Sequence, residues 1–328
     1  MKKSVHNWAL AAALALLTCP PLFASEEDAI IHSFDRPLTV YLFTSTSSLY
    51  LDILPSYWDD ALKLKSNDGT SAGAGISYRD FGVKFSGSML GKKESSSERG
   101  RTEYRDLYFS HGSRRHLVTA HYQDYRGFYF DNPGSMGMDT KDPETVLPSL
   151  EVRQFAVNAS WNFRKNFSMS AFTDHSERQN ISDWSHMLMA SYTAFSIHND
   201  APIIPGGAAG VPDDVREYSG GTYHTVSLQP GIGGTLAARR FYLTGFMLMG
   251  GGIMLHDSDT GEGDSLQFGS MFKMFLGMAM GYNGDSFFSG LRFTGDTTET
   301  SNINGYQLTT SSYHMECVVG CRFYSGII

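Results

Sequence analysis

Eighteen consecutive residues, from Ser265 to Tyr282, alternate between two kinds of side chain. Successive side chains leave opposite sides of an extended backbone, so a period of two predicts a β-strand. One face is almost entirely hydrocarbon and consists of Leu266, Phe268, Ser270, Phe272, Met274, Leu276, Met278 and Met280. The other face carries mainly small residues together with Lys273. A strand needs about 9 to 11 residues to cross a bilayer. The pattern therefore predicts one strand of a transmembrane β-barrel, with the apolar face toward lipid and Lys273 toward the lumen.

The composition agrees with a barrel. Of the 328 residues, 41% are hydrophobic and 13% are aromatic, and 34 are glycine. Half of every barrel strand faces water or the interior, so a barrel does not need the composition of a helical membrane protein. No internal run approaches the roughly 18 apolar residues of a spanning helix, which excludes helical spans.

The N-terminus has the form of a secretory signal. Lys2 and Lys3 precede the apolar run WALAAALALL, and Leu22-Phe23-Ala24 offers a cleavage site before Ser25. Lipidation at Cys19 is the alternative, but the residues around it fit a lipoprotein signal poorly. We therefore expect a signal peptide over 1–24, a periplasmic lead-in over 25–37 and an outer-membrane barrel domain over 38–328.

The net charge argues against one class of partner, and the spacing of the cysteines argues against a disulfide. Removal of Lys2 and Lys3 leaves 24 basic residues against 34 acidic ones, which argues against a nucleic-acid partner. Cys317 and Cys321 lie four residues apart in a predicted strand, too far apart for a disulfide. Both are expected on the lipid-facing side of that strand, opposite Glu316 and Arg322.

The remaining chain reads as strands joined alternately by short turns and long polar links. Five short turns fall at 79–80, 111–115, 164–166, 237–240 and 283–285, and the long links fall at 91–100, 131–149, 176–220, 256–264 and 299–305. Short turns at one end and long loops at the other are typical of outer-membrane barrels, with the short end in the periplasm. The sequence therefore predicts an all-β, antiparallel barrel.

Five hairpins, the short strand Asp60–Ser66 and the last strand Tyr306–Ile328 give twelve strands, and fourteen stays open. This count includes a strand from Phe167 to Asp174. Ser185–His198 also reads as a strand, and it lies either inside the lumen or in the wall. If it lies in the wall, another crossing must be hidden in 199–220 or 38–54.

An aromatic tract precedes one of the long links. It contains Tyr125 and Phe128 to Phe130. Because aromatic side chains gather where a membrane meets water, these residues are expected in the outer aromatic girdle.

The sequence offers only weak candidates for catalysis. His175 and Ser176 lie in the densest polar cluster, residues 174–180, but neighbouring residues of a strand point to opposite faces. Serine and histidine also occur two residues apart, the spacing of one strand face, at His111/Ser113, Ser196/His198, His256/Ser258 and Ser312/His314. None of these pairs has an obvious third residue to orient the histidine.

One acidic loop is a weak candidate for calcium. Its carboxylates are Asp257, Asp259, Glu262 and Asp264. The loop lacks the full calcium-binding pattern with a terminal bidentate glutamate, so a solvated external loop is the preferred interpretation. We expect no cofactor.

Three tracts resemble a known family: YRDFGVKFSGSM at 78–89, QDYRGFYFD at 123–131 and SERQNISDWSHMLMASYTAFSIHNDAPIIP at 176–205. In this order and spacing they resemble the bacterial proteins grouped as domain of unknown function 4421, from about residue 38 to the C-terminus. The resemblance implies an outer-membrane β-barrel of unassigned activity and supplies no catalytic residues. The chain departs from many barrels in that YSGII follows Phe323, where an aromatic residue is usual.

Three functions remain open at this point. The preferred hypothesis is a non-enzymatic structural or small-solute channel protein, because the lumen face is small and polar. The alternatives are a hydrolase that modifies lipid or lipopolysaccharide and an adhesion or receptor barrel that uses its external loops. The expected partners are outer-membrane lipid and either small solutes or envelope proteins.

Overall fold

The computed structural model describes residues 30–34, 38–56, 60–88, 99–139, 142–173, 175–204, 218–258, 266–302 and 305–323. The strands are β1 (Ile31–Ser33), β2 (Leu38–Pro55), β3 (Leu62–Ser66), β4 (Thr70–Tyr78), β5 (Phe81–Ser88), β6 (Glu103–Gly112), β7 (His116–Phe130), β8 (Val146–Asn162), β9 (Glu177–Gln179), β10 (Asp183–His198), β11 (Gly220–Ala238), β12 (Phe241–Ser258), β13 (Leu266–Asn283), β14 (Phe287–Thr300) and β15 (Tyr306–Phe323). Two 3-10 turns (Pro133–Met136 and Pro143–Thr145) and one α-helical turn, α1 (Ser170–Thr173), complete the described elements. No described helix has both the length and the apolar character to span a membrane.

Twelve of these strands form a closed antiparallel barrel: β2, β4 to β8 and β10 to β15. The ring closes where β2 pairs with β15, from Leu38 opposite Phe323 to Pro55 opposite Tyr306. Consecutive wall strands are joined by turns of two or three residues at one end, which we call the turn end, except for the longer connection at 163–182. The opposite end, with the longer connections, is the loop end.

The barrel wall branches part of the way toward the loop end. Strands β4, β5 and β6 are short, and beyond them β3 pairs with β2 on one side and with β7 on the other. Strand β7 changes partner at a bulge between Arg126 and Phe128, where Gly127 has a φ of +94°. The wall therefore has twelve strands near the turn end and ten near the loop end, and barrel diameter grows with strand number.

The exterior carries the alternation predicted from β13. Phe268 is 74% exposed on the outer face, whereas Lys273 is 1% exposed on the inner face. Outward aromatic and aliphatic side chains recur on the other wall strands, for example Phe85, Ile232 and Leu291. Cys317 and Cys321 are free and exposed, opposite the buried Glu316 and Arg322, as predicted. This apolar outer surface around a closed wall is that of a transmembrane barrel.

The predicted number of twelve wall strands is confirmed, but two of the segments that were counted as wall strands are wrong. Ser185–His198 belongs to wall strand β10, and the additional crossing is β2, at 38–55. The predicted strand Phe167–Asp174 does not form, because residues 167–172 fold inside the barrel around α1. Asp60–Ser66 contributes only the short loop-end strand β3.

A hydrophobic core fills the ten-stranded part of the lumen. Its buried side chains come from all around the ring and from the loop after β10, and include Leu51, Leu64, Phe128, Val152, Ile203, Tyr218, Tyr223, Met254 and Leu308. Tyr125, Phe128 and Phe130 belong to this core, and Tyr129 is buried outside it beneath Arg99, so their predicted place in an outer aromatic girdle is wrong. The bulge at Gly127 shifts the alternation of β7, so that Phe128 and Phe130 point into the core together with Tyr125.

Candidate functional site

The connection between β8 and β10, residues 163–182, enters the turn end of the barrel, and we call it the plug. Its stretch from Phe167 to Phe172 is buried and alternates aromatic or methionine side chains with serine and alanine. The Ser168 hydroxyl accepts a hydrogen bond from the Ala171 amide and donates one to Glu177, which satisfies polar groups around α1. The segment thus buries apolar side chains while its own polar groups pair internally.

Two arginines of the wall hold the backbone of the plug. Arg292 on β14 donates from Nη2 to the carbonyl oxygens of Phe172 (2.8 Å) and Thr173 (2.9 Å), at the end of α1. Arg322 on β15 donates from Nη2 to the carbonyl oxygen of His175 at 2.6 Å. A guanidinium group presents several donors in a fixed geometry, which suits it to gathering adjacent carbonyl groups.

His175 lies at the centre of this contact. Its side chain is 2% exposed, its ring lies 4.3 Å from the ring of Phe288, and its φ of +57° is left-handed. Burial, and then the guanidinium groups of Arg292 and Arg322, hold the pKa of His175 well below its usual value. Ser176, the other weak catalytic candidate, is half-buried and lines a groove at the turn end. Of the two candidates, His175 therefore lies inside the barrel and Ser176 lies at its mouth.

The N-terminal segment is attached to the plug. Strand β1 pairs with β9, with Ile31 opposite Gln179 and Ser33 opposite Glu177. Glu177 accepts hydrogen bonds from Ser33 at 2.8 Å and from Arg114 Nη2 at 3.1 Å, on the turn between β6 and β7. Three parts of the chain that are distant in sequence therefore meet at one carboxylate.

A chamber of about 140 Å³ lies between the plug and the loop-end core. Phe167, Met169 and Phe172 of the plug close it on the turn side, and Tyr125 of the core closes it on the loop side. Apolar wall residues on one side are Leu117, Met187, Met189, Phe246, Leu248 and Phe275, and polar residues on the other are Lys84, Asp106, His121, Asn158, Arg292, Asp296 and His314. The chamber is thus amphipathic.

The polar side of the chamber is an ionic network. The Glu316 carboxylate lies 2.7 Å from Lys84 Nζ, 3.4 Å from Arg292 Nη1 and 3.5 Å from His314 Nε2. Asp106 Oδ1 lies 2.7 Å from His121 Nε2, and Asp106 Oδ2 accepts a hydrogen bond from the Tyr104 hydroxyl at 2.7 Å. Buried charges persist in a protein interior when they are paired in this way. Arg292 links this network to the plug.

The four serine and histidine pairs have different locations. His111 stacks on Phe81 outside the barrel, and Ser196 and His198 also lie on an outward face. His256 is buried and stacks on Tyr223, and the side chain of Ser258 lies outside the described residues. Ser312 and His314 both face the chamber, as their spacing predicted.

In the structure the serine that contacts the His314 ring is Ser47 rather than Ser312. Ser47 Oγ on β2 lies 2.9 Å from His314 Nδ1, and Glu316 lies beyond the opposite ring nitrogen. Sequence reasoning missed Ser47 because it is 267 positions from His314 and reaches it only through the β2–β15 closure. The carboxylate two residues after His314 was a local signal that could have been noticed.

Most of the predicted calcium loop lies outside the described residues. Asp257 is exposed near the end of β12, and Asp259, Glu262 and Asp264 lie outside the described residues. Within the described ranges, no group of three or more His, Cys, Asp or Glu side chains is placed to hold a metal ion.

The chain is similar to solved outer-membrane proteins and matches the model of one protein family. Among solved structures, the outer membrane protease OmpT of Escherichia coli matches with 12% identity and a TM-score of 0.39, over 91% of this chain and all of that one. The toluene transporter TodX of Pseudomonas putida matches with 10% identity and a TM-score of 0.25, over 94% and 92% of the two chains. No curated protein matches the sequence. The model of a domain of unknown function, DUF4421, matches residues 27–323, and the chain belongs to this family.

Proposed function

We propose that this protein is a non-enzymatic outer-membrane barrel that binds a small amphipathic solute inside its closed lumen. The single observation that carries the proposal is the chamber between the plug and the loop-end core. A barrel that served only as a rigid structural element would not need an amphipathic chamber with an apolar side and a charged side. The apolar exterior and the short turns, which face the periplasm in outer-membrane barrels, support an outer-membrane location.

The chamber limits the size and chemistry of the solute. Its volume of about 140 Å³ is close to that of an engineered cavity, about 150 Å³, which holds one benzene ring. The apolar side suits a ring or a short hydrocarbon, and the side with Asp106, His121 and His314 offers hydrogen bonds. A single ring with a hydroxyl or similar polar substituent meets both requirements.

Passage of the solute would require movement of the plug. Arg292 lines the chamber, pairs with Glu316 and holds the carbonyl groups of Phe172 and Thr173. A solute that hydrogen-bonds within the Glu316 network competes with these contacts, so occupation of the chamber and attachment of the plug are coupled through one side chain.

Ligand binding tests the proposal. Para-cresol titrated into the detergent-solubilised barrel should give saturable binding by calorimetry. Met189→Trp fills the chamber from its apolar side and should abolish binding, while Met247→Trp, the same exchange on the outer face, should preserve it. Absence of saturable binding, or equal binding by both variants, would overturn the proposal.

Conductance separates this proposal from an open pore. The loop-end core and the plug occupy the lumen on both sides of the chamber, so the wild-type protein should show no steady current in planar bilayers. A steady ohmic current through the wild-type barrel would show that the closed arrangement is not the working one.

A second candidate function, hydrolysis, rests on Ser47, His314 and Glu316. If Nε2 of His314 carries the proton and faces Glu316, Nδ1 accepts the Ser47 hydroxyl proton, which is the arrangement of an activated serine. A serine-reactive fluorophosphonate should then label the wild type and Ser312→Ala but not Ser47→Ala. A wild type that takes up no label removes this candidate.

A further inference from the structure

The connections between strands at the turn end carry a net charge of opposite sign to that of the whole chain. These connections (residues 79–80, 113–115, 163–182, 239–240 and 284–286) contain eight basic residues and four acidic ones, whereas the chain has 26 and 34. Lysine and arginine are thus concentrated on the side of the barrel from which the plug enters.

Part of this basic surface forms a groove beside the plug. The groove has a volume of about 850 Å³ and lies between the turns at 79–80 and 113–116 on one side and the plug and β1 on the other. Its cationic lining consists of Arg79, Arg114, Arg115 and Lys165, its acidic lining of Asp80 and Glu177, and its hydroxyl lining of Ser33, Ser113, Ser170 and Ser176.

The cations of the groove are not equivalent. Arg114 is engaged by Glu177 and donates to the Ser33 hydroxyl at 3.1 Å, so it belongs to the attachment of the plug. Arg79, Arg115 and Lys165 are exposed, and the ion pairs found among the described residues do not include them. Arg79 lies over the ring of Tyr78, 5.2 Å from its centre, which directs the guanidinium group. Three positive charges and the exposed hydroxyl group of Ser113 are therefore presented to one concave surface.

We propose that this groove binds a phosphate group carried by a small polar solute or by a phospholipid headgroup. A phosphate has several acceptor oxygens and a double or single negative charge, so it can accept charge-assisted hydrogen bonds from Arg79 and Arg115 together with a bond from the Ser113 hydroxyl. The Asp80 and Glu177 carboxylates repel an anion, but Glu177 is neutralised by Arg114. The groove is separate from the chamber, so the inference does not depend on the proposed solute.

The test compares charge removals in the full-length mature barrel. The groove variants are Arg79→Asn alone, which the control Arg239→Asn matches, and Arg79→Asn combined with Arg115→Gln and Lys165→Gln. Arg239 matches Arg79 because both are exposed turn arginines with left-handed φ values of 58° and 55°, but Arg239 lies outside the groove. Asparagine tolerates this conformation, so both exchanges remove charge without new backbone strain.

Two probes distinguish the sources of the phosphate. Glycerol 3-phosphate is titrated into the detergent-solubilised protein. In nanodiscs that mix phosphatidylglycerol with phosphatidylcholine, the enrichment of phosphatidylglycerol around the barrel is measured. We expect binding of at least one probe by the wild type, weaker binding by Arg79→Asn, about tenfold weaker binding by the combined variant and unchanged binding by Arg239→Asn. Binding of the soluble probe assigns a solute, and enrichment of the anionic lipid assigns a headgroup. No binding of either probe, or equal loss in the control, overturns the proposal.

Discussion

Single arginines on β14 and β15 determine how the plug is attached. Arg322 contacts the His175 carbonyl oxygen at 3.2 Å through Nε and at 2.6 Å through Nη2, and it also donates to the Asn283 side chain. A lysine in its place would keep the charge but could satisfy fewer of these acceptors. The planar geometry of the guanidinium group is therefore what the site requires.

Arg322→Lys should lower the free energy of unfolding by about 2 kcal/mol and speed hydrogen exchange at the plug amides of Phe172 and His175. Both amides donate to carbonyl groups within the plug, so they report its local opening. Arg240→Lys is the control, since Arg240 is exposed and pairs with Asp285 on the surface. Exchange rates in Arg322→Lys that match those of the control would show that Arg322 does not hold the plug.

His175 predicts a pH dependence with a definite sign. Because its pKa in the folded protein is well below that of the unfolded chain, the unfolded state binds more protons as pH falls, and protonation favours unfolding. The contribution of His175 to stability is thus fully present above about pH 6.5 and declines below it. Urea unfolding at mildly acidic and mildly alkaline pH should show a smaller pH dependence in His175→Asn than in the wild type or His198→Asn. An unchanged dependence in His175→Asn would contradict this assignment.

Among the elements, β7 is the one that determines the shape of the barrel. Its bulge at Gly127 transfers the strand from β6 to β3, and the Gly127 carbonyl oxygen accepts a hydrogen bond from Thr102. A Cβ atom at Gly127 would lie 2.4 Å from the carbonyl oxygen of Arg101, in addition to the cost of a φ of +94°. The change from twelve to ten strands depends on this glycine.

Gly127→Ala should therefore destabilise the barrel by at least about 2 kcal/mol. The matched control is Gly137→Ala, at a glycine with a φ of +73° whose Cβ position has no neighbour within 4 Å. That exchange should cost about 1 kcal/mol. Equal unfolding free energies of the two variants would show that the close approach at the branch is unimportant.

Strand identity was predictable where one face meets lipid and was not predictable where both faces are buried. The outward rows of β5 and β13 recur every second residue, and the structure has both strands near the expected positions. Residues 167–173 also alternate in size, but every described side chain from Phe167 to Phe172 is buried, and local pattern does not distinguish such a segment from a strand. The inward position of Phe128 follows from the bulge, which no local signal fixed.

At the scale of the whole molecule, ring closure creates the site. The chamber combines side chains from β5, β6, β7, β8, β10, β12, β13, β14 and β15 with the plug. Spacing in the sequence placed Ser312 and His314 on one face but could not bring Ser47, Lys84 or Arg292 to the same network. The contacts of Ser47 and Lys84 exist because the first and last wall strands pair, whereas Arg292 lies directly opposite Glu316 in the neighbouring β14–β15 pair.

The central claim is that the outward side chains meet hydrocarbon around a closed wall, and the native cysteine Cys317 allows a direct test. With Cys321 replaced by serine, a spin label on Cys317 in lipid bilayers reports collision with apolar oxygen and with a charged nickel complex. Lys165→Cys, with both native cysteines replaced, gives the aqueous reference at the turn end. We predict that the label at Cys317 is accessible to oxygen and protected from nickel, while the label at position 165 shows the reverse. Equal access of nickel to both labels would contradict the account.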